Sequence, residues 1–390
     1  MADGTPSGIG GDAAAGGKVR VSTVEARTVR VPLDRPTMFA TRRVDARYYV
    51  LVRVRTDDGA EGYGFCYAGS GAGELPALAV RSLLAPVVTG QDPHRSAGLW
   101  AEMYAEALLH GRTGSVMRAL SAVDIALWDR NARAAGLPLW RYLGSVAAES
   151  VPAYASGGYY LDGKTPAMLA EEARGYTAAG FTAVKIKVGR LGPAGDAERL
   201  AAVREAVGPD VFVMLDANNA WSSLPEALRA MRAFEPYDPY WIEEPFSPDD
   251  IDNHARLAER TPVPVATGEI EAGRWRHLDL LRRGAAAILQ TDAAVAGGIT
   301  EFRRIAGTAA SFGVDVCPHW FHDLHVHLAA AAENVRFVEY FPDDQVLNFR
   351  RLLDRQIEVR DGRLMLPAGP GLGFGFSADA VDNYATEPWA

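Results

Sequence analysis

Cysteine and lysine are scarce in this 390-residue chain, and both scarcities are informative. The two cysteines, Cys66 and Cys317, are far apart and lack CxxC spacing, which argues against a disulfide framework and a thiolate zinc site. No run of 18 apolar residues occurs, so a membrane span is not expected. Basic residues are outnumbered, 40 against 49 acidic, for a net charge of −9, so the broad positive field of a nucleic-acid binder is missing. No HExxH is present, and no GxGxxG follows a first strand. The Gly/Ala/Ser-rich start, residues 1–17, has no basic-then-apolar order and reads as a flexible tail, not a signal peptide. A cytoplasmic enzyme is the expectation. With 48% hydrophobic and 23% charged residues, the composition is that of a globular chain with a large core.

Lysine occurs only at positions 18, 164, 185 and 187, and the other 36 basic residues are arginine. Two of the four therefore stand two residues apart in one apolar run, AVKIKV at 183–188.

Residues 18–66 read as strands, with a hairpin signal at Thr56-Asp57-Asp58-Gly59-Ala60. Residues 74–143 read as helices closing at Gly136-Leu137-Pro138. Strands followed by helices predict an α+β domain over 18–148. From 149 to 350 eight short apolar runs, starting at 151, 183, 211, 240, 263, 287, 314 and 336, alternate with Ala/Leu/Arg/Glu-rich helical segments. That spacing predicts a (β/α)8 barrel, and residues 351–390 are expected to return to the first domain.

Chemistry in such a barrel belongs at the C-terminal strand ends. Those ends carry Lys185 and Lys187, Asp216 and Asn218, Glu243 and Glu244, Glu269, Asp292, His319 and Glu339. Each carboxylate alone could instead cap the helix that follows its strand. Three converging from adjacent strands, Asp216, Glu243 and Glu269, instead suggest an all-oxygen site for a hard cation such as Mg²⁺. Lys185 and Lys187 share strand parity and point into the mouth, where lysine, unlike arginine, can act as a base if a metal and a second cation lower its pKa. Asp292 beside His319 would fix the imidazole tautomer, placing a second base across the barrel. The run His319-Trp320-Phe321-His322-Asp323-Leu324-His325 lacks a convincing third zinc ligand, and helix packing is favoured, with His322 reaching the mouth. Arg42 in the loop 33–45 and Tyr159 after the first barrel strand are candidate substrate contacts.

VKIKV at 184–188, MLDANNAW at 214–221, WIEEPF at 241–246, ATGE at 266–269, QTD at 290–292, CPH at 317–319 and FVEY at 337–340 resemble, in this order, the mandelate racemase-like subgroup of the enolase superfamily. The resemblance spans about residues 19–376. It implies a capping domain on a modified (β/α)7β barrel, Mg²⁺ held by Asp216, Glu243 and Glu269, and Lys187 as one base. It further implies Lys185 on the substrate carboxylate, an Asp292–His319 dyad, Glu339 donating to an enediolate, and Asn218 near metal and substrate. Relatives with a second lysine base on the sixth strand are not matched, because no lysine follows position 187. The implied activity is abstraction of the proton α to a carboxylate. Its outcome is dehydration of an acid sugar to a 2-keto-3-deoxy acid or, alternatively, racemisation of a 2-hydroxy acid. A non-catalytic binding protein is a remote alternative. The expected partner is a small carboxylate substrate, and the expected assembly a homo-oligomer.

Overall fold

The computed structural model describes residues 19–390. The tail expected at 1–17 lies outside the described residues.

β1 (Val21–Met38), β2 (Arg43–Thr56) and β3 (Glu61–Gly69) form an antiparallel meander. One face packs on the helix Gly114–Ala134, so closely that a Cβ on Gly64 would sit 1.9 Å from the Ala122 carbonyl oxygen. Glycine is required there by approach, not by turn geometry.

The remaining strands build the barrel. β4 (Ser150–Ser156), β5 (Ala183–Lys187), β6 (Phe212–Asp216), β7 (Trp241–Glu243), β8 (Val265–Thr267), β9 (Ile288–Leu289) and β10 (Asp315–Val316) pair in sequence order, all parallel, and β11 (Val338–Tyr340) pairs with β4. A parallel bridge between Val316 and Val335 closes the ring. Each of β4 to β10 is followed by a helix, whereas β11 runs into a 3₁₀ turn, Phe349–Leu352. The barrel is thus (β/α)7β, as the family resemblance implied.

Strand alternation explains what faces where. On β5, Val184 and Ile186 turn outward to the helices, while Ala183, Lys185 and Lys187 turn inward. On β6 and β7 the same parity sends Val213, Leu215 and Ile242 out and Met214 and Trp241 in. Tyr154, Ala183, Met214, Trp241, Ala266, Ile288, Cys317 and Phe337, one side chain for each strand, meet as a packed plug below the polar mouth.

β12 (Val359–Arg360) and β13 (Arg363–Met365) form a hairpin on the outer edge of β4. The chain then returns to the meander, where Val29 bridges Ala385 and Ala26 N–H donates to the Ala390 carbonyl at 2.8 Å. No helix among the described residues is long and apolar enough to cross a membrane.

The meander's helix Gly114–Ala134 docks on the barrel through a buried polar seam just beyond β9. Ser121 Oγ accepts from Gly297 N–H at 2.9 Å, Asp124 accepts from Thr300 N–H at 2.9 Å and from its hydroxyl at 2.6 Å, and Trp128 Nε1 donates to Thr300 Oγ1 at 2.8 Å. Gly298 admits this approach, since a Cβ there would lie 2.4 Å from Asp124 Oδ2.

Burial pushes Asp124 up to about 7, against the downward pull of the Thr300 bonds. Folded protein therefore binds a proton more readily than unfolded chain between the usual carboxylate pKa and 7. Stability contributed by this group is full at acidic pH and is lost as pH rises through 7, on the order of 1 kcal/mol per pH unit within that window. Asp124→Asn, which keeps an acceptor for Thr300, is expected to flatten that part of the stability–pH profile in urea titrations from pH 4 to 8; an unchanged slope would refute the assignment.

Candidate active site

The mouth of the barrel holds a cavity of about 350 Å³ between the strand ends and the meander. Lys187, Asn218, Glu244, Glu269, Asp292, His319 and Glu339 line it from the barrel. Tyr159, Arg42, Arg47 and Arg118 line it too, the last three from the meander and its helix. Lys185, Asp216 and Glu243 lie one layer deeper, each 1% exposed or less.

Lys185 Nζ is 2.7 and 2.9 Å from the two Glu243 oxygens and 2.7 Å from Glu339 Oε1. Lys187 Nζ bonds Asp216 Oδ2 and stands 5.0 Å from the centroid of Tyr159. Asp216 is also held by Asn218, whose N–H donates to Oδ1 at 2.9 Å and whose Nδ2 donates to Oδ2 at 3.2 Å. Across the mouth, His319 Nδ1 is 3.1 Å from Asp292 Oδ2 and Nε2 is 3.4 Å from Glu269 Oε1. Asp292 does a second job, accepting from Ala294 N–H at 2.8 Å as the cap of the helix Ala293–Ala296. Glu339 Oε2 accepts from Trp320 N–H at 2.8 Å.

Charge balance is uneven. Burial opposes the charge on Asp216 and Glu339, yet Lys187 and Lys185 hold Asp216 below the usual range, and Lys185 with His319 holds Glu339 at about 2. Glu243, Glu244 and Glu269 move the other way. Burial raises all three, mutual repulsion adds to it, and Glu244 rises to about 8. Glu269 Oε2 and Asn218 Oδ1 are buried without a partner. Unpartnered oxygens among carboxylates that resist ionisation are what an oxygen-ligated cation would relieve. Among the described residues, no three His, Cys, Asp or Glu side chains gather tightly enough to hold an ion as they stand. The ammonium groups of Lys185 and Lys187 take Glu243 and Asp216 instead. Lys187 is accordingly held above its usual range, with burial opposing and Asp216 raising it. The lowered lysine pKa expected from the sequence is not the state seen here.

Backbone strain marks the same place. Asn218, Asn219, Glu244 and Trp320 all adopt positive φ, between +42° and +67°, directly behind strand ends.

One expected site placement needs adjusting. His322 does not reach the mouth. It is buried on the helix His322–Ala330, 4.9 Å from the Tyr340 ring centroid and 3.5 Å from Asp323. Arg42 lines the cavity from its exposed rim, and Arg47 is buried in its wall. His325 and His327 are packing residues: His325 Nε2 accepts from Ala293 N–H at 3.1 Å, His327 Nδ1 from Trp140 N–H at 3.2 Å, and burial lowers both to about 4. Sequence reasoning passed over Arg47, Arg118 and Trp320 as site residues, and none of the three carried a local signal; Glu244 was named at its strand end but given no role.

Residues 21–144 match the family model of the mandelate racemase / muconate lactonizing enzyme N-terminal domain, and residues 168–380 match the enolase C-terminal domain-like model. The chain belongs to the enolase superfamily. Among this superfamily's members, an arabinonate dehydratase of Saccharolobus solfataricus is 34% identical over 86% of this chain and 90% of its own length. A D-galactarolactone cycloisomerase of Agrobacterium fabrum is 34% identical over 94% of this chain and 99% of its own. The structure of L-talarate/galactarate dehydratase from Salmonella typhimurium, liganded with Mg and L-lyxarohydroxamate, superposes with a TM-score of 0.89 at 30% identity, covering 100% of this chain and 98% of that one.

The strained Asn218 gives a clean test of what its backbone and side chain each contribute. Asn218→Gly and Asn218→Ala both remove the Nδ2 bond to Asp216, but only Ala meets the penalty for positive φ, roughly 1 kcal/mol. The Ala variant should therefore melt below the Gly variant, and both should lose activity alike. Equal melting temperatures would show that φ is not held at this position.

Proposed function

We propose that this enolase-superfamily member is an acid-sugar dehydratase, dependent on Mg²⁺, that removes the proton α to a carboxylate. The observation that carries the reading is the pairing of two proton-bearing groups, Lys187 from β5 and His319 beyond β10, on one cavity with Glu269 and Glu339. The names of the relatives, dehydratases of arabinonate, galactarate, gluconate and galactonate, support the same class. Relatives crystallised with Mg and acid-sugar ligands support the metal.

Asp216, Glu243 and Glu269 would hold Mg²⁺, which supplies positive charge to the substrate carboxylate as the α-carbon turns anionic. The protein's own groups do the rest. Lys187 or His319 takes the proton from C2. Lys185 faces the carboxylate end and stabilises the charge that develops there, and Glu339 adds to this only once it carries a proton to donate. Lys187 gives up its own proton readily only when Asp216 is otherwise neutralised, so the base is armed by occupancy of the acidic cluster. Asp292 keeps His319 oriented, and the imidazole donates a proton to the C3 hydroxyl, which leaves as water. The resulting enol takes up a proton at C3 to give the 2-keto-3-deoxy acid. Tyr159 and Asn218 would bound the substrate. Racemisation would use the same two bases, with the proton returned to C2 from the far side. We further place the enzyme in the cytoplasm as a symmetric homo-oligomer; two buried free thiols fit a reducing compartment.

With Mg²⁺ in D₂O, a panel of aldonates and aldarates should yield 2-keto acid. Deuterium at C2 with inversion and no keto acid would establish the racemase instead. Lys187→Ala and His319→Asn should each lower turnover by about 10²–10⁴-fold while Mg²⁺ binding by calorimetry persists. Full turnover in both variants would rule out the two-base assignment.

A further inference from the structure

Arg47, at the head of β2, is a buried cation with no counter-ion among the described residues. It is 2% exposed. Its Nε donates to the Val346 carbonyl at 2.9 Å and its Nη1 to Tyr67 Oη at 3.4 Å, but nothing accepts from Nη2. The guanidinium lies over the indole of Trp320, Cζ 4.3 Å from the ring centroid. A guanidinium does not shed its proton, so burial without an anion leaves a charge uncompensated, which is unfavourable. One carbonyl and an aromatic face offset only part of this. The other two buried arginines are both paired, Arg130 with Asp58 and Arg199 with Asp196.

The surroundings point the same way. Trp320 Nε1 is a second buried donor without an acceptor. Arg118 is half-buried, donates to the Tyr67 carbonyl at 2.9 Å, and has no ion-pair partner among the described residues. All three line the cavity that Lys187 and His319 share. The division of charge is sharp. Every carboxylate lining the cavity comes from the barrel, whereas the meander and its helix contribute three arginines and no acid. Arg47 is also only one indole away from the reacting end, because Trp320 follows His319 and its N–H holds Glu339.

We infer that Arg47 anchors a second carboxylate at the far end of the substrate, with Arg118 and the Trp320 indole beside it, so that the acid sugar is a diacid. The inference rests on the dehydratase reading for the near end of the substrate and adds the chemistry of the far end. A monoacid of equal length would present a neutral hydroxymethyl group there and leave the guanidinium unpaired. A diacid would satisfy it with a charge-assisted, two-pronged contact.

Matched pairs of sugars test this directly. Galactarate and galactonate differ only at C6, as do glucarate and gluconate. With the Mg²⁺-loaded full chain, kcat/KM for keto acid formation should favour the diacid of a pair by at least thirtyfold, and Arg47→Met should bring that ratio to within threefold. Equal turnover within pairs by the unaltered protein, or a diacid preference that survives Arg47→Met, would overturn the anchor. Should the variant fail to fold by circular dichroism, the unaltered protein decides, through the same ratio and through calorimetric affinities. Keto acid from monoacids alone would uphold the dehydratase and sink the anchor. Diacids bound at least tenfold more tightly than their monoacid partners, with no keto acid from either, would uphold the anchor and sink the dehydratase. Diacids that neither bind nor react would sink both.

Discussion

Six carboxylates and two ammonium groups share the mouth of one barrel, and that imbalance governs the site. Asp216, Glu243, Glu244, Glu269, Asp292 and Glu339 cannot all ionise around Lys185 and Lys187 alone. The amines settle on the deepest acids, Glu243 and Asp216, and leave Glu244 and Glu269 resisting charge. The geometry is stable only because the barrel fixes each side chain by strand parity, so that repulsion is contained by covalent scaffolding and not relieved by movement. The left-handed residues behind the strand ends are the local expression of that containment.

The barrel half of this arrangement was legible in the sequence because strand ends repeat at a readable interval. Period-two alternation in AVKIKV and VFVMLD announces which residues face the axis, and the rarity of lysine singles out 185 and 187. The helices at 166–178, 224–234 and 298–311 fall where the sequence pattern puts them. What the sequence could not show were relations between distant segments. Arg47 reads as one more arginine at the start of a strand, and only the fold brings it to Val346 and Trp320. His322 stands three residues after His319, and only the fold sets it against the Tyr340 ring and out of the cavity. The seam of Ser121, Asp124 and Trp128 joins residues more than 170 positions from their partners, and no local pattern encodes it.

That seam has a bearing on the site. The helix Gly114–Ala134 is anchored by Gly297, which ends the short helix that Asp292 caps, and by Thr300 on the helix that follows. The meander's arginines are therefore placed relative to the His319 side of the mouth by direct hydrogen bonds. The tip of the first hairpin is tied on the opposite side, where Tyr160 N–H donates to the Met38 carbonyl at 3.0 Å. Two moorings, one on each side, hold the cationic wall over the acidic floor.

The plug of eight inward side chains beneath the mouth carries no formal charge, and it seals the barrel from below. Substrate, product and the water released between them therefore pass on the other side, through the opening between Phe39, Arg42 and the strand ends. Entry and exit share a single doorway, so product and water leave by the route the next substrate takes.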